Sequence, residues 1–363
     1  ELKGKKYTPY DILMLPLSFQ SQRLKEIKSA LPSLGIDSKK VPLYFVNHHI
    51  AHASSAYYKS PYDNCLIITL DGKGDDLCGF IGVGLNGVIR EIGTTNYIYS
   101  ICAIYTLITS ICGFKPVRHE GKITGLAAYG KPNVNLINEF RKITYTKDGI
   151  WYGSLDSFNK LGPFPHVLRD ENKELIISIL NRIKEKWPIE EIAASVQKYF
   201  EDEITSYIDF HMKKHAKTSL VLAGGAFANV KLNQVIYELD SVKDIYIHPA
   251  MTDSGLSVGS ALMVANKLEK HSITPLSDAF LGPDYSTTKI EETLSKYNVE
   301  YRRPDNINQE IANILFNGKI LARFNGRLEY GPRALGNRSI LFQTTDITAN
   351  DWLNKKLKRT EFM

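Results

Sequence analysis

Asn47-His48-His49-Ile50-Ala51-His52 and, further on, Leu70-Asp71-Gly72-Lys73-Gly74-Asp75 are the stretches on which the reading of this chain turns. If the first is helical, His48 and His52 stand one turn apart on a single face, roughly 5–6 Å between Cβ atoms. That is the spacing of a two-point metal clamp. Cys65-Leu66-Ile67-Ile68-Thr69-Leu70 reads as a buried strand. It puts Asp71 where a strand ends and a glycine-rich turn begins, a common place for a carboxylate to meet a metal or a phosphate. Two imidazoles and a carboxylate suit a borderline divalent ion such as iron(II), manganese or zinc. The plain alternative is a pair of satisfied histidines on a helix.

A second His-x-x-x-His in the same chain is a control. His211 and His215 close an amphipathic stretch in which Ile189, Ile192, Val196, Phe200, Ile204 and Ile208 recur at helical spacing. Lys213, Lys214 and Lys217 crowd that pair, and positive charge near a helix C-terminus is accounted for by the dipole alone. The spacing there predicts a solvated helix end and no metal.

At 363 residues, 43% hydrophobic and 23% charged, the chain has the composition of a soluble globular protein with room for about two domains. The net charge of +6 is spread along the sequence, so nucleic-acid binding is permitted but not indicated. Cys65, Cys78, Cys102 and Cys112 lie in apolar surroundings without zinc-like spacing, as buried thiols of a reducing compartment such as the cytoplasm do. The longest uncharged apolar run, about 99–114, is too short to span a bilayer comfortably and reads as a buried helix. No signal peptide or membrane segment is expected. The first residue is Glu1, and Met363 closes no recognisable element, so the chain is expected to be part of a longer protein.

Apolar strands alternate with helical patterns, which argues for α/β layering. Strands are expected at 11–15, 43–46, 65–70, 79–83, 88–92, 219–222, 245–248 and 320–324. Helices are expected at 21–31, 48–58, 101–112, from 188 onward, 229–238, 254–268 and 307–316. Residues 144–187, with Trp151, Tyr152, Phe158, Phe164 and His166 among several Gly and Pro, read as an inserted excursion whose aromatics either wall an acceptor pocket or simply pack. A domain boundary is expected at His271-Ser272-Ile273-Thr274-Pro275-Leu276.

Two further constellations point to a nucleotide. Leu222-Ala223-Gly224-Gly225-Ala226-Phe227-Ala228-Asn229 places a double glycine where a strand hands over to a helix, so that backbone N–H groups can approach a phosphate or an adenosine. A simple tight turn would read the same way. Met251-Thr252-Asp253-Ser254-Gly255 opens an apolar helix, and Asp253 either caps it or serves a site.

Taken in order, these motifs resemble the O-carbamoyltransferases of the nodulation-protein and aminoglycoside-antibiotic type. The resemblance rests on 47–56, on Asp71-Gly72-Lys73-Gly74-Asp75, on 120–130, on the Gly224-Gly225 and Asp253 turns, and on Gly326-Arg327-Leu328-Glu329-Tyr330-Gly331-Pro332-Arg333-Ala334-Leu335-Gly336-Asn337-Arg338-Ser339. It covers residues from about 43 to the end.

The resemblance implies an actin/Hsp70-like domain over 1–272, akin to tRNA threonylcarbamoyl transferases, followed over 273–363 by the first part of a YrdC-like α/β domain. In such proteins the YrdC-like domain makes carbamoyl-adenylate from carbamoyl phosphate and ATP. The first domain then moves the carbamoyl group to a hydroxyl of a small molecule. Carried over, His48, His52, Asp71 and Asp253 hold a divalent metal, iron(II) first and manganese or zinc next. Gly72, Gly74, Gly224, Gly225 and Asn229 lie beside the adenylate.

Lys122, in a glycine-rich turn, is the cation expected to neutralise phosphate charge, unless it is only a surface lysine at a helix start. His119 stands where the family usually has an acidic residue, and Thr124 where it has Met, which weakens any role borrowed for that segment. Arg327, Arg333 and Arg338, three guanidiniums within twelve residues, are assigned to carbamoyl phosphate or ATP, with Glu329 as an alternative partner for Arg327. The family's aspartate base lies in an N-terminal strand-turn that nothing before Leu43 matches. This chain alone is therefore expected not to complete carbamoylation. Two other functions fit: a threonylcarbamoyl-type enzyme acting on tRNA, and a non-catalytic actin/Hsp70-like nucleotide-binding module, against which the paired histidines argue.

Overall fold

The computed structural model describes residues 17–37, 43–153, 182–269, 273–343, 345–346 and 348–358. The chain divides into two compact units, Glu1–Pro275 and Leu276–Met363.

The first unit is built on β1 (Cys65–Gly74), β2 (Leu77–Leu85) and β3 (Val88–Asn96), an antiparallel meander, and β6 (Ser219–Ala223) and β7 (Asp244–Ile247), which join in parallel on the other side of β1. The order is β3-β2-β1-β6-β7. Successive side chains of a strand point to opposite faces, and β1 uses both. Leu66, Ile68 and Leu70 enter a large core with α3 (Ile101–Ile111) and the long α6 (Ile189–Lys214). Cys65 and Ile67 face Ala53, Ala56 and Tyr57 of α2 (His48–Tyr57). A strand buried on both faces explains the unbroken apolar run 65–70.

The other described elements of this unit are α1 (Leu17–Ala30), α4 (Glu120–Leu126), α5 (Val134–Arg141), the hairpin β4 (Thr144–Lys147) and β5 (Ile150–Gly153), α7 (Val230–Tyr237) and α8 (Leu256–Glu269). Gly259 lets α8 lie against α2: a Cβ there would stand 1.8 Å from the Ala51 carbonyl oxygen. That approach brings the turn preceding α8 to the first turn of α2.

The second unit contains α9 (Thr287–Lys296), α10 (Ile307–Phe316), an antiparallel pair β8 (Leu321–Phe324) and β9 (Arg338–Leu341), and α11 (Ala349–Leu357).

The structure departs from the sequence reading in several places. Residues 43–46 form no strand. β1 does not stop before Asp71 but runs through the glycines to Gly74, with an irregular register between Leu70 and Gly74. The excursion at 144 begins with a regular hairpin whose turn holds Asp148 and Gly149 at positive φ. The expected strand at 11–15, and Phe158, Phe164 and His166, lie outside the described residues.

Candidate metal centre and adjoining cavity

α2 begins at His48 because its N-terminus is capped twice. The Asn47 side chain accepts from the N–H groups of His49 and Ile50, at 2.9 and 3.2 Å. Asp75 Oδ2 accepts from the His48 N–H at 2.7 Å. Four N–H groups at a helix start need partners, and meeting three of them with side chains pins both imidazoles in place.

His48 and His52 project from one face, their Nε2 atoms 3.1 Å apart. Opposite them is Asp71, whose Oδ2 lies 3.2 Å from His52 Nε2 and 3.6 Å from His48 Nε2. Its other oxygen, Oδ1, accepts the Gly72 N–H at 2.6 Å, which fixes the carboxylate plane. Asp253 comes from the turn before α8, with Oδ1 3.5 Å from His52 and 3.6 Å from His48. One donor atom from each of the four lies within 4.8 Å of every other.

This donor set fits a divalent cation. Ligands about 2.0–2.2 Å from an ion, as in zinc sites, are separated along the edges of an octahedron or tetrahedron by about 2.8–3.6 Å. The five separations that involve a histidine, 3.1 to 3.6 Å, fall in that range, and all four donors lie within 4.8 Å of one another. Two nitrogens and two carboxylate oxygens are the chemistry of a borderline ion.

The electrostatics agree. Burial pulls the His52 pKa down, but hydrogen bonds to Asp253 and Asp71 outweigh it and hold the imidazole above its ordinary value. Burial raises Asp71, and contacts with His48 and His52 overcome this and hold it well below the usual carboxylate range. A cluster that attracts a positive charge so strongly is suited to a cation. His49, between the two, is different. Burial, then the neighbouring His48 and His52, push its pKa down to about 3, and its Nδ1 sits 2.7 Å from Thr69 Oγ1. It is a neutral core histidine.

Two glycines protect this geometry. A Cβ on Gly74 would stand 2.2 Å from the His48 ring, and one on Gly225 would stand 3.1 Å from Asp71 Oδ1. Beside the four donors opens a cavity of about 810 Å³ lined by Asp71, Gly72, Gly74, Gly225, Asn229 and Asp253, with Tyr105, Thr124, Phe200, Lys73 and Arg118 also on the wall.

The other site residues expected from the sequence are placed as follows. Gly224 is not among the lining residues. Its φ of +105° and the 2.2 Å that would separate a Cβ from the Leu70 carbonyl oxygen assign it to the crossing of β6 and β1. Lys122 does not line the cavity either: it is buried within α4, its ammonium 5.9 Å from the Phe114 ring centroid. The lining residues from its neighbourhood are Arg118, Glu120, Gly121 and Thr124.

In the second unit the Arg338 guanidinium covers the Phe324 ring at 3.6 Å and donates to the carbonyls of Asn325, Gly326 and Asn337. Arg327 donates to the carbonyls of Leu281 and Gly282. Arg333 is exposed. Glu329 does not pair with Arg327. Its Oε1 accepts the N–H groups of Leu335, Asn337 and Arg338, and these bonds, Arg338 foremost, hold its pKa down to about 2.

The second histidine pair is not a solvated helix end. His211 is buried, with Nε2 2.8 Å from the Gly149 carbonyl oxygen of the β4–β5 turn. The sequence reading also missed Asp75, the helix cap, and the buried Gln197 and Glu201 behind the cavity. A carboxylate is a good acceptor for the N–H groups of a helix start, but no local signal pairs Asp75 with a helix that begins 27 residues before it.

A family model described as Carbamoyltransferase N-terminus matches residues 5–262. The chain belongs to the carbamoyltransferase family. A second model of that family, Carbamoyltransferase C-terminus, matches residues 312–363. The chain is similar to the Uncharacterized protein MJ1058 of Methanocaldococcus jannaschii, 35% identical over 346 residues that cover 88% of this chain and 54% of that protein. It is similar also to the Nodulation protein NolNO of Sinorhizobium fredii, 30% identical over 87% of this chain and 46% of that one. The Nodulation protein NolO of Bradyrhizobium diazoefficiens is 30% identical over 87% of this chain and 56% of its own length. The chain thus spans about half the length of the curated relatives it matches. Among solved structures, full-length HypF in its phosphate- and nucleotide-bound form aligns with 68% of this chain and 46% of its own at 17% identity and a TM-score of 0.37, a likeness too loose to argue from. Among the described residues, no helix is long and apolar enough to cross a membrane.

Proposed function

We propose that this chain carries the transfer site of an ATP-dependent O-carbamoyltransferase. In this reading a carbamoyl group from carbamoyl phosphate, activated as carbamoyl-adenylate, passes to a hydroxyl of a small metabolite such as a sugar or another natural product. One observation carries the proposal: four metal-type donors from three distant parts of the chain meet at coordination spacing, and two of them, Asp71 and Asp253, line a cavity that glycines also line.

In this reading His48, His52, Asp71 and Asp253 hold a divalent ion, iron(II) before manganese or zinc, which when bound supplies Lewis-acid polarisation and a template for phosphate oxygens. The chain's own groups do the rest. Gly72 orients Asp71, and Gly74 keeps the His48 ring in place. Gly72, Gly74 and Gly225 leave room for the adenylate, with Asn229 beside it. Lys73 and Arg118, rather than Lys122, are the cations on the wall that can neutralise phosphate charge.

The meander extended by two parallel strands, with helices on both faces, supports the actin/Hsp70-like reading of the first unit. For residues 273–363, the reading as the opening of a YrdC-like domain rests on the resemblance of the 326–339 segment, within the stretch 312–363 that matches the carbamoyltransferase C-terminus. There Arg327 and Arg333, both exposed, and Arg338 are assigned to carbamoyl phosphate or ATP. Four free thiols accord with the reducing cytoplasm.

The test has two arms. Purified chain is expected to carry stoichiometric metal that His52→Ala loses; unchanged metal content would favour a nucleotide-binding module instead. Full-length protein supplied with carbamoyl phosphate, ATP and extracts of its source is expected to add a carbamoyl mass to one small compound. No such product, with metal bound, would sink the transferase reading.

A further inference from the structure

Behind the cavity lies a buried chain of hydrogen bonds whose direction is fixed at both ends. Gln197 and Glu201, one turn apart on α6, are both buried. Gln197 Nε2 donates to Glu201 Oε1 at 2.7 Å and to Asn229 Oδ1 at 3.3 Å. Gln197 Oε1 accepts from Tyr105 Oη at 2.7 Å and from Asn229 Nδ2 at 2.8 Å. Asn229 Oδ1 also accepts the Leu232 N–H at 3.0 Å, capping α7.

The ends set the polarity. A carboxylate only accepts, so Glu201 must meet the Gln197 nitrogen; a backbone N–H only donates, so Leu232 must meet the Asn229 oxygen. Turning either amide over would put acceptor against acceptor or donor against donor. All four hydrogen-bonding positions of the Gln197 amide are then used. Tyr105 has given its one proton to Gln197, so across the 3.0 Å contact Thr124 is the donor and Tyr105 the acceptor. Asn229 also hydrogen-bonds Tyr105, beside the Gln197 oxygen that both residues meet. What the network leaves over toward the cavity is the second N–H of Asn229 and the lone pairs of Thr124. Both residues line the cavity, whereas Gln197 and Glu201 do not.

We propose that Gln197, oriented by Glu201, is a positioning residue that holds the Asn229 amide so that the cavity offers its ligand a single N–H donor there. The ligand group recognised is an uncharged acceptor, a ring nitrogen or a carbonyl. This rests on the proposed function for the identity of the ligand as an adenylate.

The experiment measures AMP binding calorimetrically to the purified chain in the presence of manganese, alongside manganese affinity. Gln197→Leu keeps the volume of the side chain and removes the relay; it is expected to weaken AMP about tenfold, the scale of one lost hydrogen bond in a buried network, with manganese affinity unchanged. Glu201→Gln, which still offers Gln197 an acceptor, is expected to keep most of the AMP affinity, whereas Glu201→Leu is expected to behave like Gln197→Leu. Equal AMP affinity in wild type and Gln197→Leu would overturn the proposal, as would AMP and manganese lost together. If Gln197→Leu does not fold, the two Glu201 variants decide, and equal affinities there overturn it. A wild-type chain that binds manganese but no AMP overturns this proposal while leaving the metal centre standing.

Discussion

The molecule holds two His-x-x-x-His pairs on helices, and they do different things. His48 and His52 sit in the first two turns of a capped helix and meet Asp71 and Asp253 within 3.6 Å. His211 and His215 sit at the last turn of α6, where their rings stack 5.8 Å apart and nearly parallel, with a carbonyl oxygen as the bonded partner of His211 and lysines nearby. Burial lowers the pKa of His211, whereas the carboxylates raise that of His52. Helical spacing therefore only puts two imidazoles on one face. What the rest of the fold brings opposite decides whether that face can hold a cation.

The largest effect should come from breaking the first pair. His52→Ala removes a donor that contacts the other three, and is expected to lower metal affinity by roughly a hundredfold or more, since even changes to groups behind metal ligands cost about 10–100-fold. Competition titration with a chelating dye measures it. His211→Ala should leave that affinity unchanged, and a fall with both variants would erase the contrast between the pairs.

Gly74→Ala sharpens the comparison without touching a donor. Its new Cβ collides with the His48 ring, so metal affinity should fall about tenfold, while Gly121→Ala, which meets nothing within 4 Å, should not change it. In turn His211→Ala should cost about 1–3 kcal/mol of stability, through the cavity it leaves and the unpaired Gly149 carbonyl, read as a lower denaturant midpoint.

The smallest effect concerns the second unit. Glu329 has its pKa lowered from 4.5 to about 2 by the N–H groups it accepts. A group depressed on folding stabilises the fold above its unfolded pKa, and that contribution is lost as pH falls through the folded one. The turn at 335–338 should therefore loosen between about pH 4.5 and 2, with the Asn337 and Arg338 amide resonances moving together. Amides that stay fixed down to pH 2 would show that other contacts hold the turn.

The sequence made the α/β layering legible because its signals were local. The run 65–70 and the helix capped by Asn47 are read from neighbours in sequence. That His48, His52, Asp71 and Asp253 come together was legible as well, partly from spacing and partly from resemblance, since Asp253 alone read as well as a cap. What stayed hidden depended on distant partners. His211 is buried by a hairpin turn 62 residues away, so it passed for a solvated helix end, and Gln197 bonds Tyr105 from 92 residues away, so nothing near it in sequence singled it out. Gly224 read equally as a phosphate turn or a simple tight turn, and the close approach it permits is to the main chain of β1, 154 residues away in sequence from Gly224 to Leu70. The hairpin at 144–153 was marked by Asp148-Gly149 between alternating residues, a signal the surrounding Gly and Pro obscured.

The most direct test is an anomalous difference map from crystals of this chain grown with zinc or manganese. One strong peak is expected about 2.0–2.2 Å from His48 Nε2, His52 Nε2 and a carboxylate oxygen each of Asp71 and Asp253. A peak held by other residues, or none at saturating metal with these side chains ordered, would contradict it.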